Sequence, residues 1–148
     1  MTAKRPSTLE VATRALAVRD FSAQALREKL VLSGVEPSEA DGAVADLERA
    51  GLVSDERFAR NRARSLAERG KGDSAIRFDL DRQGVSAAHV EIAIAELEPE
   101  GVRAERIVAR RGPGARTARL LAGRGFSPEH VELAAEGFVA KDGWAALG

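Results

Sequence analysis

One apolar pattern occurs three times along the chain, and it limits the fold more than any other feature of the sequence. The first copy is Leu26, Leu30, Gly34, Val35, Ala40, Ala43, Val44 and Leu47. A shift of fifty residues gives Ile76, Leu80, Gly84, Val85, Val90, Ala93, Ile94 and Leu97. A shift of ninety-one gives Thr117, Leu121, Gly125, Phe126, Val131, Ala134, Ala135 and Phe138, with Thr117 the one polar member. An internal repeat of this kind is typical of an array of similar structural units.

Each copy of the pattern predicts two helices joined at a glycine. The first helix ends at a glycine suited to the left-handed C′ conformation, and a serine or proline start signal opens the second. A further helix precedes each pair, at about residues 8–19, 56–69 and 101–111. Sustained period-2 alternation of β-branched residues is absent. The chain is therefore predicted to be all-α, with three tandem three-helix repeats.

These repeats are expected to stack into an elongated array, because such units bury their apolar faces against their neighbours. The sequence leaves open whether the array is curved, and whether it is an extended solenoid or a compact bundle. The predicted division is an N-terminal tail at 1–6, repeats at 7–53, 54–98 and 99–140, and a C-terminal tail at 141–148. The third repeat is the most degenerate.

The composition is that of an intracellular protein without disulfides. The chain contains no cysteine, and its first residues, MTAKRPS, lack an apolar h-region. No apolar run approaches the roughly 20 residues that a membrane span requires. We therefore expect a cytoplasmic, monomeric protein that does not associate with membranes.

The sequence contains no evident catalytic or metal-binding set of side chains. His89 and His130 occupy matching repeat positions beside glutamates, where solvent-exposed or capping histidines are expected rather than ligands. There is no G-x-S-x-G elbow. The phenylalanines mostly fall at helical core spacing, which disfavours a base-stacking platform, and Trp144 lies in a glycine-flanked tail. We expect a binding protein that needs no metal or other cofactor, and not an enzyme.

The segment Gly70-Lys71-Gly72 raises the question of a phosphate-binding loop. A P-loop requires G-x-x-x-x-G-K-[ST] between a strand and a helix. Here a glycine follows the lysine, the upstream glycine is missing and a predicted helix precedes the segment. We therefore predict a helix–helix connection in which Asp73 or Ser74 caps the next helix.

The charges are sorted within each repeat, although the chain has 23 basic and 23 acidic side chains and a formal net charge of zero. In the second and third repeats the first two helices are rich in arginine and the third helix is acidic. Solvation and helical ion pairs explain any single arginine, but the repeated separation of signs favours a binding surface. The candidate residues of this surface are Arg57, Arg60, Arg62, Arg64, Arg69, Lys71, Arg77, Arg82, Arg110, Arg111, Arg116 and Arg119.

The segment GLVSDERFARNRARSLAERGKGDSAIRFDLDRQGV, residues 51–85, resembles the central block of the RecX family of recombination regulators. The matching residues are Gly51-Leu52, Asp55-Glu56, Phe58-Ala59, the arginine-rich run from Arg60 to Arg69, Gly70, Gly72, Ile76, Leu80 and Gly84-Val85. The flanking repeats fit through their basic and acidic helices and through Arg124 to Phe126. Asn61, where an aromatic is common, Ser54, in place of a frequent aspartate, and a short 100–124 segment depart from the pattern.

This resemblance implies a non-enzymatic regulator of homologous recombination and DNA repair, without a cofactor. Members of the family bind the RecA recombinase, usually in the helical groove of its filament on single-stranded DNA. They lower its ATPase and strand-exchange activities by blocking filament growth or promoting disassembly. The implied partners of this chain are RecA and, weakly or through the filament, single-stranded DNA.

Two other interpretations of the sequence stay open. The helix–glycine–helix joints are compatible with a helix-turn-helix DNA-binding protein. However, the helix after each joint is acidic, whereas a recognition helix must enter a groove lined by phosphates. The third interpretation is a generic helical scaffold that binds some other partner.

Overall fold

A computed structural model of the chain describes residues 6–136. Within this range every regular element is an α-helix and no strand is present. The helices are α1 (Thr8–Val18), α2 (Ala23–Leu32), α3 (Pro37–Arg49), α4 (Asp55–Glu68), α5 (Asp73–Arg82), α6 (Ala87–Ala95), α7 (Glu100–Arg111), α8 (Ala115–Gly123) and α9 (Pro128–Glu136). The all-α prediction is confirmed, and the first helices of the three units, α1, α4 and α7, begin and end within one residue of the predicted positions.

Apolar side chains form three separate clusters, one for each successive group of three helices. Leu26 and Leu30 lie at the centre of α1–α3, Ile76 and Leu80 at the centre of α4–α6, and Leu121 within α7–α9. All five side chains are fully buried. The helix pairs in closest contact also lie within these groups. We call the groups units 1, 2 and 3; each carries one copy of the repeated apolar pattern as its core.

The predicted glycine joints have the expected backbone conformation. Gly34, Gly84 and Gly125 have φ values of +97°, +77° and +87°. An L-amino acid with a side chain is strained in this region, and glycine is not. In units 1 and 2 the next helix begins where the start signals predict, after Glu36 and Ser86.

Units 1 and 2 are joined through polar groups at helix ends. The Ser22 hydroxyl donates to the carbonyl oxygen of Gln83 at 2.5 Å, and the amide of Ala23 donates to Oδ1 of Asp55 at 2.8 Å. The start of α2 therefore meets both the end of α5 and the first residue of α4.

Units 2 and 3 are joined in the same way. The amide of Gly72 donates to the carbonyl oxygen of Arg124 at 2.8 Å, and the amide of Asp73 donates to Oε2 of Glu100 at 2.8 Å. The start of α5 meets the end of α8 and the first residue of α7. Because the same joint occurs twice, the three units form a tandem array with a repeated stacking geometry.

The predicted cap of α5 was wrong. Gly72 is the N-cap residue, and no side chain caps this helix. The amide of Ser74 donates to the carbonyl oxygen of Gly125, and the amides of Gly72 and Asp73 also find acceptors in unit 3. Side-chain capping is unnecessary because the next unit satisfies the free amides of this helix start.

The histidines and one phenylalanine differ from expectation. His89 is half-buried, with a buried Nδ1 that has no hydrogen-bond partner within residues 6–136. His130 is also half-buried, with Nε2 3.8 Å from Oε1 of Glu100. Neither side chain is fully exposed, and that of His130 lies beside Gly101 and Glu100 at the start of α7. Phe78 is exposed on α5, whereas Phe21, Phe58 and Phe126 are buried. Phe138 and Trp144 lie outside the described residues.

Candidate binding surface

Three arginines of the predicted surface are held in ion pairs within unit 2. Arg60 donates from Nε to Glu96 at 2.7 Å. Arg62 donates to both carboxylate oxygens of Asp79, at 2.8 and 2.9 Å. The hydrogen bonds from these guanidiniums stabilise the charged form and raise the pKa of both arginines. These side chains link α4 to α6 and to α5.

The third paired arginine belongs to a contact that recurs along the chain. Arg77 on α5 donates to both carboxylate oxygens of Glu91 on α6, at 2.8 and 3.2 Å, and this bond lowers the pKa of Glu91. Fifty residues earlier, Arg27 on α2 pairs through Nε with one carboxylate oxygen of Asp41 on α3. In unit 3 the first position is Ala118, so the pair is absent there. At these positions an ion pair between a basic and an acidic residue joins the second and third helices of one unit.

Several other predicted residues make weaker contacts or none. Arg57 donates to the carbonyl oxygen of Gly51 at 3.2 Å, and the guanidinium of Arg82 lies 5.7 Å from the ring centre of Phe78. The remaining predicted cations make no ion pair with another residue in the range 6–136. These are Arg64, Arg69, Lys71, Arg110, Arg111, Arg116 and Arg119.

Four of these unpaired residues line one cleft between units 2 and 3. The cleft has a volume of about 530 Å³ and is bounded by the last turn of α4, the end of α6, α7 and the turn after α8. It is lined by seven arginines: Arg64, Arg69, Arg103, Arg106, Arg110, Arg111 and Arg124. We call it the arginine cleft. Arg103, Arg106 and Arg124 are not among the twelve predicted residues.

Arg103 is a buried residue in the wall of the arginine cleft. Its side chain is only 7% exposed. It donates to the carbonyl oxygens of Lys71, at 2.8 Å, and Glu98, at 2.9 Å, and it pairs with Asp73. The acceptors come from three places in unit 2, which explains why the spacing of charges in the sequence does not reveal this role.

The acidic residues of the cleft are largely neutralised by arginines. Arg106 donates to both oxygens of Glu98, at 2.7 and 3.0 Å, and this lowers the pKa of the Glu98 carboxylate. Glu96 is paired with Arg60. Seven arginines against three glutamates leave the lining with a formal excess of positive charge.

A second cleft lies between units 1 and 2. It is lined by Arg62 and Arg82 of the predicted surface together with Arg19, Lys29 and the highly exposed Leu32. Neither cleft includes the other six predicted residues, which are Arg57, Arg60, Lys71, Arg77, Arg116 and Arg119. The predicted surface is therefore spread over several sites, and its role in binding stays a prediction.

Two classes of site are not found in the described part of the chain. No group of three or more histidine, aspartate or glutamate side chains within residues 6–136 is arranged to hold a metal ion. In the same range no helix is long and apolar enough to cross a bilayer.

The arginine-rich middle of the chain matches a model of a known protein family. Residues 54–94, which contain α4, α5 and all but the last residue of α6, match the family model described as RecX, second three-helix domain. This part of the chain is therefore similar to the second of the three-helix domains of RecX. No curated protein sequence matches it significantly.

Two RecX crystal structures share the fold. The structure of RecX from Lactobacillus salivarius superposes with a TM-score of 0.70 at 18% identity, covering 87% of this chain and 92% of that chain. A second structure, of a regulatory protein RecX, superposes with a TM-score of 0.71 at 17% identity, covering 87% of this chain and 73% of that chain. The likeness to these RecX proteins therefore extends beyond residues 54–94 to most of the three-unit array.

Proposed function

We propose that this protein is a non-enzymatic regulator of the RecA recombinase. In this proposal it binds the RecA filament on single-stranded DNA and lowers its ATPase and strand-exchange activities, by blocking filament growth or promoting disassembly. The observation that carries the proposal is the match of residues 54–94 to the second three-helix domain of RecX. The likeness of the fold to a structure described as regulatory protein RecX agrees with a regulatory role.

The charge distribution supports binding to a protein assembly over direct reading of duplex DNA. A recognition helix presents its side chains to phosphates and base edges. In this chain Glu91 lies on α6 and Glu96 is the C-cap residue of this helix, and both are ion-paired with arginines of the same unit. A helix-turn-helix protein is therefore the weaker alternative.

The proposal is tested by titrating the protein into the single-stranded-DNA-dependent ATPase reaction of its cognate recombinase. Strong inhibition well below one copy per recombinase monomer is expected, because a capped or disassembling filament loses activity in many monomers at once. Absence of inhibition at molar excess, from protein with native helicity, would reject the proposal and leave a helical scaffold for another partner.

A matched pair of charge reversals locates the inhibitory surface. Arg64 and Arg14 are both exposed and make no ion pair within residues 6–136, but only Arg64 belongs to the predicted surface. We expect Arg64→Glu to weaken ATPase inhibition and Arg14→Glu to leave it unchanged, with equal helicity in both variants. Equal inhibition by the two variants would remove Arg64 from the binding surface.

A further inference from the structure

We infer that the arginine cleft is a docking site for a segment of a partner protein that carries both acidic and apolar side chains. This inference rests on the proposed function. It adds the chemistry of the partner segment that a regulator of this kind would bind. The inference concerns one of the several surfaces that the predicted cations occupy.

Charge is the first argument for such a ligand. Arg64, Arg69, Arg110 and Arg111 line the cleft and have no acidic partner in the described part of the chain. The nearby carboxylates of Glu96 and Glu98 are already bound to other arginines. Unpaired guanidiniums that converge on one concave surface favour a ligand with carboxylates or phosphates, which they bind in a bidentate way.

The apolar part of the lining is the second argument, and it favours peptide over nucleic acid. Ala67, Leu97 and Ile107 contribute partly exposed apolar surface between the arginines. The one aromatic residue of the lining, Phe126, is only 5% exposed. Sites for single-stranded nucleic acid typically combine a basic groove with exposed aromatic rings on which bases stack, and the cleft offers no exposed ring. Aliphatic side chains of a peptide fit this surface.

The third argument is that the two walls of the cleft are fixed relative to each other. Arg103 on α7 is bonded to Lys71, Asp73 and Glu98 of unit 2. The cleft therefore exists before a ligand arrives, and little ordering of the protein is needed on binding. A preformed site binds more tightly than one that must be assembled.

The experiment compares three labelled probes by fluorescence anisotropy with the full chain. The first is a peptide in which pairs of glutamates alternate with leucine, the second has serine in place of leucine, and the third is an oligothymidylate of equal charge. We expect the glutamate–leucine peptide to bind most tightly. Replacing Arg110 and Arg111 by Gln is expected to weaken this binding by about tenfold, which corresponds to about 1.4 kcal/mol.

The matched control is the double variant Arg116→Gln, Arg119→Gln. These residues lie on α8 of the same unit, are also exposed and unpaired within residues 6–136, and are outside the cleft. The control is expected to bind the peptide as the native protein does. Arg64→Gln with Arg69→Gln, on the opposite wall, provides a second test if the first variant loses helicity.

Three results would overturn the inference. If oligothymidylate binds at least as tightly as the glutamate–leucine peptide, and the same arginines are needed, the cleft is a nucleic-acid site. If neither pair of cleft variants changes peptide binding more than the α8 control does, the cleft is not the docking site. ATPase inhibition by the native protein in the absence of peptide binding would reject this inference alone. Peptide binding without ATPase inhibition would reject the proposed regulatory function alone.

Discussion

At the scale of single residues, the two glycines around Lys71 are required for different reasons. Gly70 has a φ of +83° and ends α4 in the left-handed region. Gly72 has an ordinary φ of −84°, but a Cβ atom there would lie 2.5 Å from the backbone of Gly125 and Phe126. The first glycine is needed for a turn, and the second is needed for the close approach of unit 3.

We predict that Gly72→Ala weakens the joint between units 2 and 3. The added methyl group meets backbone atoms that cannot rotate away, so we expect a loss of about 1–3 kcal/mol in the free energy of unfolding. The amides of residues 72 and 74, which donate to Arg124 and Gly125, should also exchange faster with solvent. Urea unfolding and hydrogen exchange measure the two effects.

Gly42→Ala is the control for this substitution. Gly42 is exposed in α3, and a Cβ atom there would meet nothing within 4 Å. Because alanine favours a helix more than glycine does, we expect a gain of roughly 0.5–1 kcal/mol. If Gly72→Ala and Gly42→Ala change the free energy of unfolding equally, the contact of Gly72 with unit 3 does not contribute to stability.

The role of Gly72 illustrates which residues the sequence could not explain. Local signals predicted a helix–helix connection between α4 and α5, because they depend on neighbours within a few positions. The contact with Gly125 and Phe126 joins residues more than fifty positions apart. The prediction of a side-chain cap at Asp73 or Ser74 failed for the same reason, since the acceptors for these amides lie in unit 3.

At the scale of helices, a carboxylate at the start of one unit caps a helix of the unit before it. Asp55 opens α4 and accepts from Ala23, and Glu100 opens α7 and accepts from Asp73 and Ser127 at 2.8 and 2.7 Å. Burial alone would raise the pKa of Glu100, but the amide hydrogen bonds outweigh it and the pKa is lowered. Glu100 is thus a charged clasp between α5 and α9.

We predict that this clasp makes the stability of the array sensitive to acid. A carboxylate whose folded-state pKa is lowered stabilises the protein above its unfolded pKa of about 4.3. The contribution is lost as the pH falls through the lower pKa of the folded state. Glu100→Gln should therefore cost about 1–3 kcal/mol at neutral pH and much less in acid, as measured by urea unfolding across a pH series.

Glu129→Gln is the matched control for the clasp. Glu129 lies exposed in the first turn of α9 and makes no ion pair with a described residue. Its replacement should change stability little at any pH. A constant difference between Glu100→Gln and the native protein from neutral to acidic pH would show that charge on Glu100 is not what stabilises the joint.

At the scale of the whole molecule, periodicity predicted the fold but not the distribution of its charged surface. The apolar positions recur at fixed shifts and follow the helical period, so the number and order of helices could be predicted from neighbours alone. The arginines have no such signal. Arg60, for example, binds Glu96 thirty-six positions away, while Arg64 in the same helix lies unpaired in the arginine cleft. Sequence spacing does not separate these two roles.

The distribution of charged residues also predicts weak binding to naked DNA. The whole chain is formally neutral, so it has little long-range attraction for phosphates. The unpaired arginines of the cleft, Arg64, Arg69, Arg110 and Arg111, can neutralise only a few phosphates. We expect a dissociation constant on single strands no tighter than about 1 µM at physiological salt, and a slope of log K against log salt of about −3.

Filter binding or anisotropy over a salt series measures this slope, with duplex DNA in parallel. Binding to the recombinase filament should depend less on salt, because apolar protein contacts supply part of its free energy. The variant Arg110→Gln, Arg111→Gln should flatten the slope on naked strands by about 1.4, or 0.7 for each lost phosphate contact. Sub-micromolar binding to duplex DNA that persists at physiological salt would contradict the prediction and favour a helix-turn-helix protein. In that case Glu91 on α6 and Glu96 at its C-cap would have to lie away from the DNA.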